Sequence, residues 1–373
     1  MSWIHTTDQI TRIQIELSNY CNAYCPQCVR VDYLDDGFLA KYTKQDTQYP
    51  VTINSHHIDT DRYKQMFEQD TWHSLRAVHY CGNYDEPTLH PHMIELAEHT
   101  LKLTSAVVTV STNGGTRTPQ WWQQLGQLSQ QYPQRLEVMW GIDGLEDTNH
   151  IYRKGVDWHR LQQNVSAYHD AGGHSIWQWI EFAHNQHQTQ WVKDNYKNQG
   201  FKSLKIIETL RKNQPDQQQL KQTIKNNTNL NAKKREKIEN LINEPIKLPQ
   251  KKKIPELNSK NTAISKKIPS INCKACDVTS SIKRSIYIDA QGYLTPCCWM
   301  GTDHAKREAS QGFMQGHDPR EHNIYEHDSI ADVLNSPYFL RLQHTWPTQS
   351  YSLCVEHCGQ TQDRNIGAVQ DHH

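Results

Sequence analysis

Apolar and polar positions along the chain fall into two rhythms. A period of two marks residues 12–17 (RIQIEL), 75–82 (LRAVHYCG), 106–114 (AVVTVSTNG), 136–144 (LEVMWGIDG) and 174–182 (HSIWQWIEF). These runs are rich in β-branched or aromatic side chains, and they predict strands. Helical spacing marks residues 59–69, 92–102, 119–131, 157–171 and 188–198. Asp59 is placed to cap the first of these helices, and Pro119 suits the first turn of the third. Strand–helix alternation predicts a parallel sheet with right-handed crossovers, either a barrel or a doubly wound sheet. Sheets of that kind gather ligands at the C-terminal ends of their strands.

Composition qualifies this picture. Of 373 residues, 36% are hydrophobic, below the roughly 45–50% of an average globular domain, so part of the chain adds little to a core. Forty Lys plus Arg balance forty Asp plus Glu, which excludes a uniformly basic nucleic-acid binder. The balance is a cancellation. Residues 202–271 hold 17 Lys/Arg against 6 Asp/Glu, a local charge of +11, and the remainder carries −11. This stretch buries too little apolar area to offset its ordering entropy, apart from a short amphipathic helix around 233–242. It reads as a linker or insertion over 209–270. The alternative is a basic arm for nucleic acid or an acidic partner. In that case, deleting 209–270 should abolish a salt-dependent binding seen with the full chain, and unchanged binding would end the idea. No apolar run reaches the ~20 residues of a membrane helix. Asp8 and Arg12 stand where the apolar part of a signal peptide would lie. A soluble, cytoplasmic protein is expected.

In a reducing compartment, clustered cysteines serve as metal ligands or catalytic groups more often than as disulfides. Nine of the ten cysteines are grouped: Cys21, Cys25 and Cys28; Cys273, Cys276, Cys297 and Cys298; and Cys354 with Cys358. Cys81 stands alone and is expected to pack near the site. The first group, C-x3-C-x2-C, follows the first predicted strand after a break at Ser18 and Asn19. Three thiolates are one short of a closed zinc site or a saturated four-iron cluster. Such a loop leaves one coordination position open for chemistry, or borrows a distant histidine as in a zinc site.

This C-x3-C-x2-C loop after a first β-strand resembles the signature of the radical S-adenosylmethionine superfamily. The resemblance implies that Cys21, Cys25 and Cys28 hold a [4Fe–4S] cluster whose fourth iron is chelated by S-adenosylmethionine. The residue before the last cysteine, usually aromatic in the family, is Gln27. Four later segments stand in the family's order at predicted strand ends. "GNYDEPTLHP" resembles the Gly-Gly-Glu-Pro segment that meets the S-adenosylmethionine amino group, here through Tyr84, Asp85, Glu86 and Pro87, with Asp85 in place of the second glycine. "STNGG" supplies Ser111 and Asn113 where the family contacts the ribose. "GIDGLEDTNHIYRKG" supplies Asp143 and Arg153, the arginine suited to a carboxylate. "FAHNQHQ" supplies Asn185 where adenine contacts fall. The resemblance covers roughly residues 10–208. His79, His90 and His92 retain a structural reading.

Toward the C-terminus, residues 285–289 (SIYID) read as a strand, followed by a turn at Gln291-Gly292 and a second strand ending in Pro296-Cys297-Cys298. "SIADVLNSPYFLRLQHTW" reads as helix interrupted at Asn-Ser-Pro. Hairpin, helix and final cysteine pair resemble the twitch or SPASM extension of radical S-adenosylmethionine maturases and dehydrogenases. That implies one auxiliary [4Fe–4S] cluster held by Cys297, Cys354 and Cys358 with Cys273 or Cys276, and with Cys298 as an alternate to Cys297. A four-cysteine structural zinc is the competing reading. The expected fold is α/β, a partial (β/α)6 TIM-like barrel followed by a small α+β twitch/SPASM-like domain over 271–362. The resemblance implies reductive cleavage of S-adenosylmethionine to a 5′-deoxyadenosyl radical that abstracts hydrogen from a peptide or small-molecule substrate. It also implies a low-potential electron donor such as flavodoxin or ferredoxin. A non-catalytic iron–sulfur electron-transfer protein and a zinc-stabilised nucleic-acid-binding module are the other classes.

Overall fold

The computed structural model describes residues 4–23, 25, 28, 57–208, 284–298, 300–301, 316–345 and 371–372. Strand and helix alternate as β1 (Arg12–Ile15), α1 (Thr60–Gln69), β2 (Ala77–Tyr80), α2 (Met93–Leu103), β3 (Val107–Thr112), α3 (Pro119–Gln131) and β4 (Leu136–Gly141). Then come the short α4 (Asn149–Tyr152), α5 (Trp158–Asp170), β5 (His174–Glu181), α6 (Thr189–Asn195) and β6 (Ser203–Glu208). Asp59 caps α1 by accepting from the Arg62 N–H at 2.8 Å, and Thr118 caps α3 ahead of Pro119. Both helices therefore begin where their side chains satisfy otherwise orphaned amide groups.

β1 to β6 pair in parallel in sequence order, which gives a partial barrel. Ile13, Ile15, Val78, Tyr80, Val108 and Val110 form one face of the first strands and are buried in the hydrophobic core. Gln14, His79, Thr109 and Ser111 alternate with them on the other face and keep partial access to solvent.

Two features were not read from the strand pattern. β6 falls in the first residues of the Lys-rich stretch, inside the expected 10–208 bound, so the change in composition at 202 precedes the end of the barrel. The hairpin β7 (Ser285–Ile288) and β8 (Leu294–Thr295) is also not set apart from the barrel, because β7 pairs in parallel with β1 from Arg12↔Ser285 to Ile15↔Ile288. β9 (Asp371–His372) pairs antiparallel with β6. The result is one nine-stranded sheet in the order β8-β7-β1-β2-β3-β4-β5-β6-β9. The antiparallel outermost strands cover the edges of the parallel ones.

The predicted Asn-Ser-Pro break separates α7 (Ile330–Leu334) from α8 (Pro337–Thr345). This region is clasped to α1. The Arg62 guanidinium donates to the carbonyls of Ile324, His327 and Asp328, and Asp70 accepts from the Ile330 and Ala331 N–H groups at the start of α7. No helix among the described residues is long and apolar enough to cross a membrane.

Candidate active site

The cysteine loop leaves the C-terminal end of β1, and the ends of β2, β3, β4 and β5 supply what surrounds it. Cys25 is buried, while Cys21 and Cys28 are half-buried. Each sulfur has a neighbour on a different part of the chain. Asn113 Nδ2, just past β3, donates to Cys21 Sγ (3.7 Å) and to Asn22 Oδ1 (2.8 Å). Arg153 Nη1 points at Cys25 Sγ (4.0 Å), and the Cys28 thiol faces the Asn83 carbonyl past β2 (3.8 Å). Burial pushes the Cys25 thiol up, and the Arg153 charge opposes it.

Asp143 and Arg153 form the buried pair of the site. Asp143 is fully buried, its Oδ2 accepting from Arg153 Nε (2.7 Å) and its Oδ1 from the Ile180 N–H of β5 (2.7 Å). Burial works against the Arg153 cation, but Asp143, Cys25 and Tyr152 outweigh it and hold the pKa above the usual arginine range. Gly141 makes room for this arrangement, since a Cβ there would stand 2.4 Å from Arg153 Nη2. Gly114 is needed for a second reason. Its φ is +70°, and a Cβ would lie 2.3 Å from Leu161 and 2.9 Å from Trp140.

The segment after β2 is turned inward. Glu86 is buried, with Oε1 accepting from the hydroxyls of Thr88 and Thr112 (both 2.7 Å) and Oε2 from the Asn113 N–H (2.7 Å). The Thr88 hydroxyl in turn meets that of Thr116. Both carboxylate oxygens thus tie the end of β2 to the end of β3. Pro87 opens a 3-10 turn that Glu86 caps. Asp85 is also buried; its Oδ2 accepts from the Ser18 N–H (3.0 Å), and Oδ1 finds no hydrogen-bond partner among the described residues. The Tyr84 N–H donates to Glu16 Oε2 (3.3 Å).

Glu16 was missed by sequence reading. It continues the period-two face of Gln14 beyond β1, and that alternation was the available signal. Its Oε1 accepts from the Asn83 N–H (3.0 Å) and the Cys81 thiol (3.2 Å). Burial raises the pKa values of Glu16, Asp85 and Cys81, and the three lie close enough to act on one another. Cys81 therefore packs beside the site, as expected. His90 is likewise structural, buried against the Ile58 carbonyl (3.0 Å).

At the end of β5, Asn185 is spent on the backbone. Its Nδ2 donates to the carbonyls of Asp143 (2.9 Å) and Ile180 (2.8 Å), and its Oδ1 accepts from the Phe182 N–H (2.7 Å). Its neighbour His184, stacked on Phe182, donates through Nε2 to the Asp143 carbonyl (3.2 Å). Burial lowers the His184 pKa to about 4, so its ring is neutral. His184 Nδ1 is a buried acceptor without a partner among the described residues, a feature sequence reading missed.

Cys297 and Cys298 follow β8, where the Cys297 carbonyl accepts from the N–H groups of Met300 and Gly301. Cys273, Cys276, Cys354 and Cys358 lie outside the described residues. Among the described residues, no three His, Cys, Asp or Glu side chains converge as they would on a single metal ion. A four-iron cluster instead takes one thiolate per iron. A loop with three thiols and hydrogen-bond donors aimed at two of its sulfurs fits that demand, because such donors stabilise anionic sulfur.

No family model matches the sequence, and no curated protein matches it. Solved structures do. Streptococcus suis SuiB bound to S-adenosylmethionine is similar at 14% identity and a TM-score of 0.50, over 94% of this chain and 71% of that one. Native anSMEcpe with bound AdoMet and Cp18Cys peptide is similar at 13% identity and a TM-score of 0.49, over 93% of this chain and 86% of that one. At such identities the likeness is one of fold. This chain therefore shares the fold of that S-adenosylmethionine-bound SuiB structure, a parallel partial barrel, and it carries a three-cysteine loop past the end of its first strand.

Proposed function

We propose that the protein is a radical S-adenosylmethionine enzyme acting on a peptide or small-molecule substrate. The observation that carries this reading is the environment of the first cysteine group, with Asn113 and Arg153 directed at the sulfurs of Cys21 and Cys25. Cys21, Cys25 and Cys28 would hold a [4Fe–4S] cluster. When bound, that cluster would pass one electron to S-adenosylmethionine and cleave it to methionine and a 5′-deoxyadenosyl radical. The protein's part is to bind, orient and shield. Asp143 fixes Arg153, and Glu86 holds the Asn113 backbone while the Gly115 N–H and Asn22 Oδ1 hold its side-chain amide, so neither sulfur-facing donor needs to reorganise when charge develops. Tyr84 to Pro87, Ser111, Asn113, Asp143, Arg153 and Asn185 would line the S-adenosylmethionine site, several of them through backbone they hold in place. A low-potential flavodoxin or ferredoxin would supply the electron.

The test is anaerobic turnover with dithionite, reading 5′-deoxyadenosine by mass spectrometry and tracing deuterium from candidate substrates into it. Protein that binds zinc without sulfide and releases no deoxyadenosine would overturn the reading. The second cysteine set would hold one auxiliary [4Fe–4S] cluster through Cys297, Cys354 and Cys358 with Cys273 or Cys276. In that case, Cys358→Ala should leave deoxyadenosine formation within about threefold of wild type and lower product formation at least ~100-fold. Equal losses of both would refute a separate role for this set.

A further inference from the structure

Ser111 belongs to the proposed S-adenosylmethionine site, but what orients its hydroxyl lies deeper in the barrel. Arg12 opens β1, His79 sits in β2 and Ser111 near the end of β3, all on the sheet face opposite the hydrophobic core. Arg12 Nη2 stands 3.4 Å from His79 Nδ1. A guanidinium has donors only, so His79 Nδ1 must present its lone pair. Burial, reinforced by the charges of Arg12 and Lys205, lowers the His79 pKa to about 3, and the ring stays neutral. Its one ring proton is therefore on Nε2, which stands 2.6 Å from Ser111 Oγ. The serine oxygen accepts from the imidazole, so the hydroxyl hydrogen cannot point at His79 and is left to donate elsewhere. Among the described residues, the Ser111 hydroxyl has no hydrogen-bond partner other than His79.

We propose that Arg12 and His79 are positioning residues that commit the Ser111 hydroxyl to donate a hydrogen bond to a ribose oxygen of bound S-adenosylmethionine. The inference rests on the function proposed above. It differs from a packing role for His79 because it fixes the direction of one hydrogen bond. Without the imidazole, Ser111 is free to turn and its preference for an acceptor is lost.

Equilibrium dialysis of S-adenosylmethionine against the anaerobically reconstituted full chain tests it, with thermal melts in parallel. His79→Leu should weaken binding about five- to tenfold, the effect of one hydrogen bond. His79→Gln, whose amide N–H can still reach Ser111 Oγ, should bind within about twofold of wild type. Ser111→Ala should show the same loss as His79→Leu, and the double variant His79→Leu/Ser111→Ala no further loss. Losses that add in the double variant, or equal losses in His79→Leu and His79→Gln, would overturn the proposal. Should His79→Leu not fold, the comparison of Ser111→Ala with His79→Gln decides, because wild-type binding by Ser111→Ala removes the hydrogen bond on which the proposal stands. A wild-type chain that binds no S-adenosylmethionine would fell the proposed function itself, a result distinct from a binding wild type with indifferent variants.

Discussion

Cys25→Ala should abolish both the N-terminal cluster and 5′-deoxyadenosine formation. Of the three thiols in the first loop, Cys25 is the most enclosed, only 7% exposed, and the one that Arg153 faces. Removing it leaves two thiolates where a four-iron cluster that keeps one iron open for ligand needs three. A water-filled replacement is unfavourable there, because burial already disfavours the anion at Cys25 and only the nearby guanidinium offsets this. Iron and acid-labile sulfide should fall by the content of one cluster, on the order of four atoms of each. Deoxyadenosine release under dithionite should drop to below about one hundredth of wild type, beyond the 10- to 100-fold typical of a lost outer-shell partner. Iron held by the second cysteine set would remain. Unchanged deoxyadenosine release from Cys25→Ala would end the assignment of the first loop.

The sequence made the scaffold of this site readable because local signals agreed with the global fold. Period-two runs became β1 to β5 within a few residues, and Asp59 and Pro119 began helices as their chemistry requires. What escaped was set by pairing at long range. Nothing within SLKIIE distinguishes a last barrel strand from the Lys-rich stretch it opens. Only its register with β5, from Ile176↔Ser203 to Glu181↔Glu208, makes it a strand. The parallel union of β7 with β1 joins residues some 270 positions apart and leaves no local trace. The site shows the same division. Motif order located Glu86, Asn113 and Asp143 beyond strand ends and Arg153 in the segment that follows β4, but not how their side chains are used. Glu86 and Asp85 face the protein and brace neighbouring strands, while Glu16, outside every motif, organises the loop that meets Cys28. A residue type at a strand end indicates that a carboxylate is there; only packing decides whether it faces a ligand or the chain.

Asp143→Ala should be among the most destabilising single changes at the site. The side chain is fully buried and answers two donors at once, the Arg153 guanidinium and the Ile180 N–H. Alanine leaves a cation, its side chain only 16% exposed, without a counter-charge. Breaking a buried pair from one side in this way costs about 3–5 kcal/mol, far more than the pair contributes against apolar replacements. The orphaned Ile180 amide adds to that loss, and Tm should fall on the order of 10 °C. Asp143→Asn keeps an acceptor for Ile180 and part of the contact to Arg153, so it should lose roughly half as much. The double variant Asp143→Ala/Arg153→Met separates charge from packing. Because it removes the stranded cation, it should recover about 2 kcal/mol relative to Asp143→Ala alone. Thermal and guanidinium unfolding of the four proteins measure these differences. A loss below about 1 kcal/mol for Asp143→Ala would mean that Arg153 is solvated and can leave Cys25. The guanidinium would then be no fixed part of the cysteine environment, and the observation that carries the proposed function would lose half its content.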